Sequence, residues 1–309
     1  MCLLNLIFFL YLLKKGMGLS IEAIQNLLEL YQLGQLKNYK SVVEFGSQEL
    51  HIKKNDLIEC LNMAGFDDSK IHTFENIENW PDKNKPRCSS KPLYELLGIK
   101  EYYSFDINNQ LNSINHDYNN KFTDKNFYSK FDIVTDYCAC GHAFNIGEAY
   151  RTIHNLCKKD GIIIGVLPLW KGNGYYLYDH YFFEGLAAAN NYKIIFSSYV
   201  VSTGEKTKAG TNIKYHVPLS RSLLDTFDIA KLDWLGVCFV LKKQTDNEFK
   251  FPYQGEYDSK KYNHLGFNRY FYKDPPGYSY IPMFDLKTIS GKVILKELIK
   301  RIKKKLKLN

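Results

Sequence analysis

Four acidic residues stand where a carboxylate could bind a ligand, because each ends or closely follows a short apolar segment. They are Glu44, Asp106, Asp117 and Asp136. In an open α/β sheet, ligands bind beyond the carboxyl ends of the strands, where the strand order reverses. A single acid in such a place is more often a solvated loop residue. Four acidic residues along one predicted edge of the sheet favour a binding site.

A nucleoside suits these acids. Asp106 follows a predicted second strand, and a carboxylate there can accept hydrogen bonds from both ribose hydroxyls. Gly46 allows close approach of a ligand because glycine has no Cβ. Residues 44–48 contain only this one glycine, so they do not form a glycine-rich loop that cradles phosphate. The pattern predicts a nucleoside cofactor without phosphate, and S-adenosylmethionine is such a cofactor.

Several segments also resemble a known family in their order along the chain. They are Glu44-Phe45-Gly46-Ser47-Gln48, Asp106 after a strand, His116-Asp117-Tyr118-Asn119 and Phe131-Asp132-Ile133-Val134-Thr135-Asp136. Together they resemble the motifs of class I S-adenosylmethionine-dependent methyltransferases. The resemblance covers about residues 41–201, and it implies a Rossmann-like methyltransferase fold.

The chain is most similar to a little-characterised group of that family, often encoded with surface-glycan genes. The matching segments are Cys140-Gly141-His142-Ala143-Phe144-Asn145, Leu156-Cys157-Lys158-Lys159-Asp160-Gly161 and Gly172-Asn173-Gly174-Tyr175-Tyr176-Leu177-Tyr178. Three departures stand out. The first motif lacks its second glycine, a long insertion separates Glu44 from Asp106, and Gly172-Asn173 replaces the Asn-His of the group.

The resemblance implies roles for ten residues. Glu44 and Gly46 would contact the methionine end of the cofactor, Asp106 the ribose and Asp117 the adenine amino group. Asp136 and Tyr137 would line the edge between cofactor and acceptor. The neighbouring positions expected to bind the cofactor are Ser47, Gln48, Ile107 and Tyr118.

Methyl transfer to a hydroxyl requires a group that takes its proton, and histidine is the common choice near neutral pH. His142 is the first candidate and His180 the second, with Asp136 beside them as a third catalytic candidate. A histidine that serves packing or loop structure is an equally good interpretation. Tyr175 and Tyr176 could stack on a sugar or nucleobase, or form an ordinary surface cap.

We expect no metal, because Cys138 and Cys140 have no second ligand pair at zinc-site spacing.

The elements that would position these residues follow from hydrophobic periodicity. Strands are predicted over 41–46, 101–106, 131–136, 162–167, 192–200 and 235–241. Helices are predicted over 21–36, 55–64, 92–97, 146–157 and 180–190. Apolar strands that alternate with helices indicate a parallel sheet covered on both faces. We therefore expect an α/β fold with a doubly wound, mostly parallel, seven-stranded sheet.

This domain is expected over 17–245, with a polar insertion at 67–91 and a turn at 158–161. An irregular cap rich in aromatic residues should follow over 246–287. The apolar segment 1–16 is shorter than the ~20 residues that span a bilayer, and it lacks the features of a secretory signal. It is either a short membrane-associated anchor or sequence that precedes a true start at Met17.

The chain has a net charge of +8, and most of it lies in the last nineteen residues, where eight Lys or Arg stand against Glu297. A nearly neutral remainder argues against nucleic acid as a partner. The sequence of residues 288–309 predicts a basic amphipathic helix, which would either lie on an anionic membrane surface or dock on the domain.

Seven cysteines without a repeated spacing favour a reducing compartment. We expect a cytoplasmic protein, either free or peripheral at the membrane.

The sequence thus predicts an S-adenosylmethionine-dependent methyltransferase that O-methylates a glycan or another small hydroxylated acceptor. Two alternatives remain. The depleted glycine motif fits a binding or scaffold protein that has lost turnover, and an RNA methyltransferase is disfavoured by the neutral core.

Overall fold

A computed structural model of the chain describes residues 18–82, 84–219 and 228–252. The apolar segment 1–16, most of the predicted cap and the predicted basic helix at 288–309 lie outside these residues. Within the described ranges, no helix is both long and apolar enough to cross a bilayer.

Nine strands and five α-helices are present in the described chain. The strands are β1 (Leu19–Ser20), β2 (Ser41–Phe45), β3 (Leu50–His51), β4 (Glu101–Phe105), β5 (Phe131–Tyr137), β6 (Cys157–Trp170), β7 (Tyr192–Ser202), β8 (Tyr215–Val217) and β9 (Trp234–Lys243). The helices are α1 (Ile21–Gln32), α2 (Lys54–Met63), α3 (Lys91–Leu96), α4 (Ile146–Leu156) and α5 (His180–Asn190).

Seven of the strands form one sheet in the order β4-β2-β5-β6-β9-β7-β8, while β1 and β3 form a separate parallel pair. The strands β4, β2, β5 and β6 are parallel neighbours, and β9 lies antiparallel between β6 and β7. All six strands named from the sequence are present. The seventh is the three-residue β8, which hydrophobic periodicity did not identify.

The sheet is covered on both faces, because successive side chains of a strand point to opposite sides. Val42 packs in one core cluster with α1, α2 and α3. Its neighbour Val43 packs in another with α4 and α5. Burying one such side chain is worth roughly 1.5–3 kcal/mol, so this alternation provides much of the driving force for folding. The α/β doubly wound architecture predicted from the sequence is confirmed.

Two predicted boundaries are wrong for local reasons. The first helix ends at Gln32 instead of residue 36, because Gly34 adopts a left-handed φ of 71°, as is typical just beyond a helix end. Residues 158–161, predicted as a turn, belong to β6. The pairing of β5 with β6 is irregular between Phe131 and Ile133, and Asp160 has a φ of 65°, so the chain forms a bulge there.

The strand order reverses between β2 and β5. From β2 the chain moves outward to the edge strand β4, and then returns to the other side of β2 as β5. The carboxyl ends of β2 and β5 therefore flank a switch point, where α/β sheets bind their ligands.

Candidate functional site

The turn after β2 is compact and depends on Gly46. This residue has a φ of 91°, in the left-handed region that favours glycine. A Cβ at Gly46 would lie 2.5 Å from Gln48 Nε2 and 3.0 Å from the Cβ of Ala139. Gln48 Nε2 also donates to the carbonyl of Phe45 at 2.8 Å. The groups that approach Gly46 closely are the chain's own Gln48 and Ala139, so the close approach of a ligand at this glycine stays a prediction.

Asp106 joins the end of β4 to this turn. Its Oδ2 accepts hydrogen bonds from the Ser47 backbone N–H at 2.7 Å and from the Ser47 hydroxyl at 3.0 Å. Its Oδ1 accepts from the Asn108 N–H at 3.1 Å. The carboxylate is half-buried. The structure thus brings Asp106 and Ser47 together, as the sequence predicted, while the contact of Asp106 with a ribose stays a prediction.

Ile107 and Asp117 lie in the loops that follow β4. The Ile107 side chain is 64% exposed, which places a bare apolar surface next to Asp106. Asp117 accepts hydrogen bonds within its own loop from Asn119 and Asn120. The Asp117 carboxylate is therefore not already positioned for its predicted contact with an adenine amino group.

Tyr118 lies directly against the turn at Gly46. Its hydroxyl accepts from the Gly46 N–H at 2.6 Å and donates to the carbonyl of Phe105. Its ring lies 5.0 Å from that of Phe45, and burial raises the pKa of the hydroxyl well above its usual value. Tyr118 is thus at the predicted site, where it completes the turn from within the protein.

Arg87 is part of this site, and sequence reasoning did not identify it. It comes from the polar insertion, and its Nη2 donates to the Ser47 carbonyl at 2.5 Å. Its Nη1 donates to Gln110 Oε1 at 2.6 Å, and its Nε lies 3.1 Å from Glu49 Oε2. Burial raises the pKa of Glu49, but His51 and Arg87 outweigh it, so the pKa is lowered. No local pattern in the insertion indicates this role.

Glu44 requires a correction. Its side chain is fully buried, and its carboxylate accepts hydrogen bonds from the hydroxyls of Ser90, Tyr94 and Tyr102 at 2.6, 2.8 and 2.7 Å. Burial raises its pKa to about 7, although the three hydroxyls act in the opposite direction. Glu44 therefore supports the turn from beneath and does not present its carboxylate to the methionine end of a cofactor.

Asp136 and Tyr137 also differ from expectation. Asp136 is fully buried, with Oδ1 bound by the Cys140 N–H at 3.1 Å and Oδ2 by the Tyr150 hydroxyl at 2.8 Å. Burial raises its pKa. It fixes the loop after β5 and cannot reach an acceptor as a catalytic group. The Tyr137 side chain points to the opposite face of the sheet, into the core cluster that contains Tyr94, so it does not line the edge.

The two candidate histidines differ in their surroundings. His142 lies in a single helical turn after β5 and is exposed. His180 begins α5, where its Nδ1 atom contacts the Asp179 carboxylate and its ring centroid lies 4.2 Å from that of Tyr181. Nearby, burial raises the pKa of Glu184 to about 7, and the proximity of His180 acts to lower it. The Asp179 carboxylate thus orients the His180 ring, and general bases in enzymes are commonly oriented by a third group in this way.

Aromatic side chains project from the loops after β5 and β6. Phe144 and Tyr175 are 71% and 68% exposed, and their rings are nearly perpendicular, with centroids 5.7 Å apart. The Tyr175 N–H donates to the Gly141 carbonyl at 2.8 Å, and the Tyr176 hydroxyl donates to the Phe144 carbonyl at 2.6 Å. We call Phe144, Tyr175 and Tyr176 the aromatic rim. Its position at the carboxyl edge suits the contact of a ring-shaped molecule.

Six cysteines of the described chain are buried and free. Within the same residues, no group of three or more His, Cys, Asp or Glu side chains is placed to hold a metal ion.

No protein-family model matches the chain, and no curated protein does. Among solved structures, the chain is similar to a 1,6-didemethyltoxoflavin-N1-methyltransferase from Burkholderia thailandensis, crystallised with 1,6-didemethyltoxoflavin and S-adenosylhomocysteine. That similarity has 12% identity and a TM-score of 0.35, and it covers 73% of this chain and 80% of the other.

Two further structures are similar to the chain at the same level. A SAM-dependent methyltransferase from Archaeoglobus fulgidus has 12% identity and a TM-score of 0.38 over 77% of this chain and 99% of its own. The O-methyltransferase of a trans-AT PKS multienzyme from Brevibacillus brevis, in complex with S-adenosyl-L-homocysteine, has 13% identity and a TM-score of 0.34, over 74% and 82%. All three likenesses are distant.

Proposed function

We propose that this protein is an S-adenosylmethionine-dependent methyltransferase that transfers a methyl group to a hydroxyl of a glycan or another small hydroxylated acceptor. One observation carries the proposal. Asp106, at the end of β4, lies hydrogen-bonded beside the single-glycine turn of β2, next to the switch point of the sheet. This is where a nucleoside with no phosphate would bind.

The residues around the turn suit S-adenosylmethionine. Asp106 would accept from the ribose hydroxyls, and the exposed Ile107 would cover one face of the adenine. The Oε1 atom of Gln48 is buried without a hydrogen-bond partner among the described residues, which leaves an acceptor for the amino group at the methionine end. When bound, the cofactor supplies an electrophilic methyl group on a sulfonium.

The acceptor would bind over the aromatic rim, where rings can stack on a sugar. His180 would take the proton of the acceptor hydroxyl as its oxygen forms the bond to the methyl carbon and the carbon–sulfur bond breaks to leave a neutral thioether. Asp179 would hold the imidazole and stabilise its protonated form. His142 remains a second candidate for the same role.

Calorimetric titration with S-adenosylhomocysteine tests the cofactor site. In Asp106→Asn the ribose hydroxyls lose a charged acceptor, so we expect affinity to fall about 100-fold, which corresponds to about 3 kcal/mol for hydrogen bonds to a charged group. Asp124→Asn is the matched control, because Asp124 also accepts a backbone N–H two residues on but lies away from the turn. Absence of binding by the unaltered protein would overturn the proposal, and equal affinity in Asp106→Asn would remove Asp106 from the site.

A second function, a binding or scaffold protein without turnover, is favoured by Tyr118. Its hydroxyl already occupies the Gly46 N–H and the Phe105 carbonyl, so these two backbone groups of the turn are satisfied without a ligand. Binding of S-adenosylhomocysteine with no methyl transfer to any of a panel of neutral glycans and phenols would support this function.

A further inference from the structure

A large cleft lies beside the outer edge of the sheet. It adjoins the turn after β2, because Arg87 lines the cleft and also donates to the Ser47 carbonyl. Among the residues that the structure describes, the edge strand β4 has a partner on its outer side only near its carboxyl end. There the Ile114 N–H donates to the Ser104 carbonyl at 2.7 Å, and the Asp106 N–H donates to the Ile114 carbonyl at 3.0 Å. The polar insertion lies opposite the rest of the β4 edge, and a cleft of about 1130 Å³ separates the two. Pockets for small ligands have volumes of this order.

The β4 wall of this cleft carries polar groups without close partners among the described residues. Ser104 is 2% exposed, and its hydroxyl lies near that of Tyr102 but makes no hydrogen bond of 3.5 Å or shorter to a described residue. The N–H and C=O of one strand residue point to the same side and alternate along the strand. Because the Ser104 carbonyl points outward, so do its own N–H and both backbone groups of Tyr102. Buried polar groups are normally hydrogen-bonded, so this wall suits a ligand that both donates and accepts.

The charges of the cleft disfavour an ion as that ligand. The three cations that line it are each close to a carboxylate, with Lys85 at 3.9 Å from Asp82, Arg87 at 3.1 Å from Glu49 and Lys91 at 3.7 Å from Glu95. Glu75 adds a negative charge to the lining. An anionic ligand would have to compete with these carboxylates, so a neutral one is favoured.

The remaining lining combines aromatic and amide groups. Tyr102 and Tyr103 line the cleft and are half-buried, and Gln110 and Asn112 add amide side chains to the lining. The Gln110 Oε1 atom already accepts from Arg87. A sugar ring has apolar C–H faces and a rim of hydroxyls that donate and accept, so it matches both kinds of surface. Aromatic side chains with a polar tip are suited to such mixed contacts.

We propose that the cleft between β4 and the insertion is a binding site for a neutral carbohydrate. It is separate from the aromatic rim, which follows β5 and β6. β4 lies two strands from β5 and three from β6, or about 10 and 14 Å at the usual strand spacing. Binding here requires neither the cofactor nor methyl transfer, so the proposal holds or fails independently of the proposed function.

The test begins with the full chain on an array of neutral and acidic oligosaccharides, followed by calorimetry with the best neutral binder. Ser104→Val removes the Ser104 hydroxyl, and we expect about fivefold weaker binding, the worth of one neutral hydrogen bond. Ser197→Val is the matched control, because Ser197 is also a buried strand serine whose hydroxyl lacks a partner, but it lies on β7. Its affinity should not change.

Asn112→Gly provides a second variant in case Ser104→Val fails to fold. It keeps the left-handed backbone at Asn112, where φ is 59°, and removes the amide, so binding should again weaken severalfold. Three results would overturn the proposal: no neutral oligosaccharide binds, only acidic ones bind, or both variants bind as the unaltered protein does. If the cleft instead binds an extended peptide along the β4 edge through main-chain hydrogen bonds, the first of these results is expected.

Discussion

The buried carboxyl of Glu44 predicts a pH dependence of stability that one substitution should remove. Glu44 is fully buried, and its partners within the described part of the chain are the neutral hydroxyls of Ser90, Tyr94 and Tyr102. Because burial penalises its charged form, its pKa in the folded protein is raised to about 7. In Glu44→Gln the amide is never charged, yet its oxygen can still accept from the Ser90 and Tyr102 hydroxyls, and its NH2 can donate to the Tyr94 hydroxyl oxygen. The variant should therefore lose the pH dependence that comes from this group.

The sign and size follow from the two pKa values. Between the unfolded value of 4.5 and the folded value of about 7, the native state binds more protons than the unfolded state, so the free energy of unfolding falls as pH rises. The stabilising contribution is fully present below the unfolded pKa and is lost as pH rises through the folded pKa. A difference of about 2.5 pH units corresponds to about 3 kcal/mol at 1.36 kcal/mol per unit.

Urea denaturation at pH 4 and at pH 8 measures the effect. The stability of Glu44→Gln relative to the unaltered protein should rise by about 3 kcal/mol between the two pH values. Glu184 has a raised pKa as well, but it is present in both proteins, so its contribution cancels in the comparison. Glu101→Gln, at an exposed position on β4, should show no such change. Parallel pH profiles for Glu44→Gln and the unaltered protein would refute the reasoning.

Two further predictions concern the turn and the base. Gly46→Ala should destabilise the protein by about 2 kcal/mol or more, because alanine is strained at that φ and its Cβ would collide with Gln48. Gly34→Ala, at a left-handed position with open space, should cost about 1 kcal/mol, and equal losses in denaturation experiments would contradict the close approach. Once an acceptor is found, His180→Ala should lower kcat about 100-fold with unchanged affinity for S-adenosylhomocysteine. His142→Ala should lower it far less, and the reverse order would assign the base to His142.

The sequence predicted those elements whose signals are local. The helix at 180–190 was predicted with its observed bounds, because Asp179 caps its start and the left-handed Asn191 ends it. The strands at 131–136 and 235–241 were predicted from continuous apolar segments. The strand β8 was missed, because three residues are too few for a periodicity to emerge.

The site was predicted less well, because its geometry depends on which face of a strand a residue occupies and on distant segments. Glu44 follows Val43 and therefore points to the same side as Val42, into the core beneath the turn. Strand alternation could have indicated this from the sequence. Nothing local could have indicated that Arg87 reaches Ser47 from a polar insertion, since that contact depends on how the insertion folds over the sheet edge.

The position of β9 has a consequence for synthesis. This strand is the last of the described sheet in chain order, yet it lies between β6 and β7 and pairs with both. Until residues 234–243 have left the ribosome, β6 and β7 each have an open edge in a region of continuous apolar sequence. Open apolar edges are templates for unwanted pairing, so a nascent chain that pauses before residue 234 should be the species most dependent on chaperones.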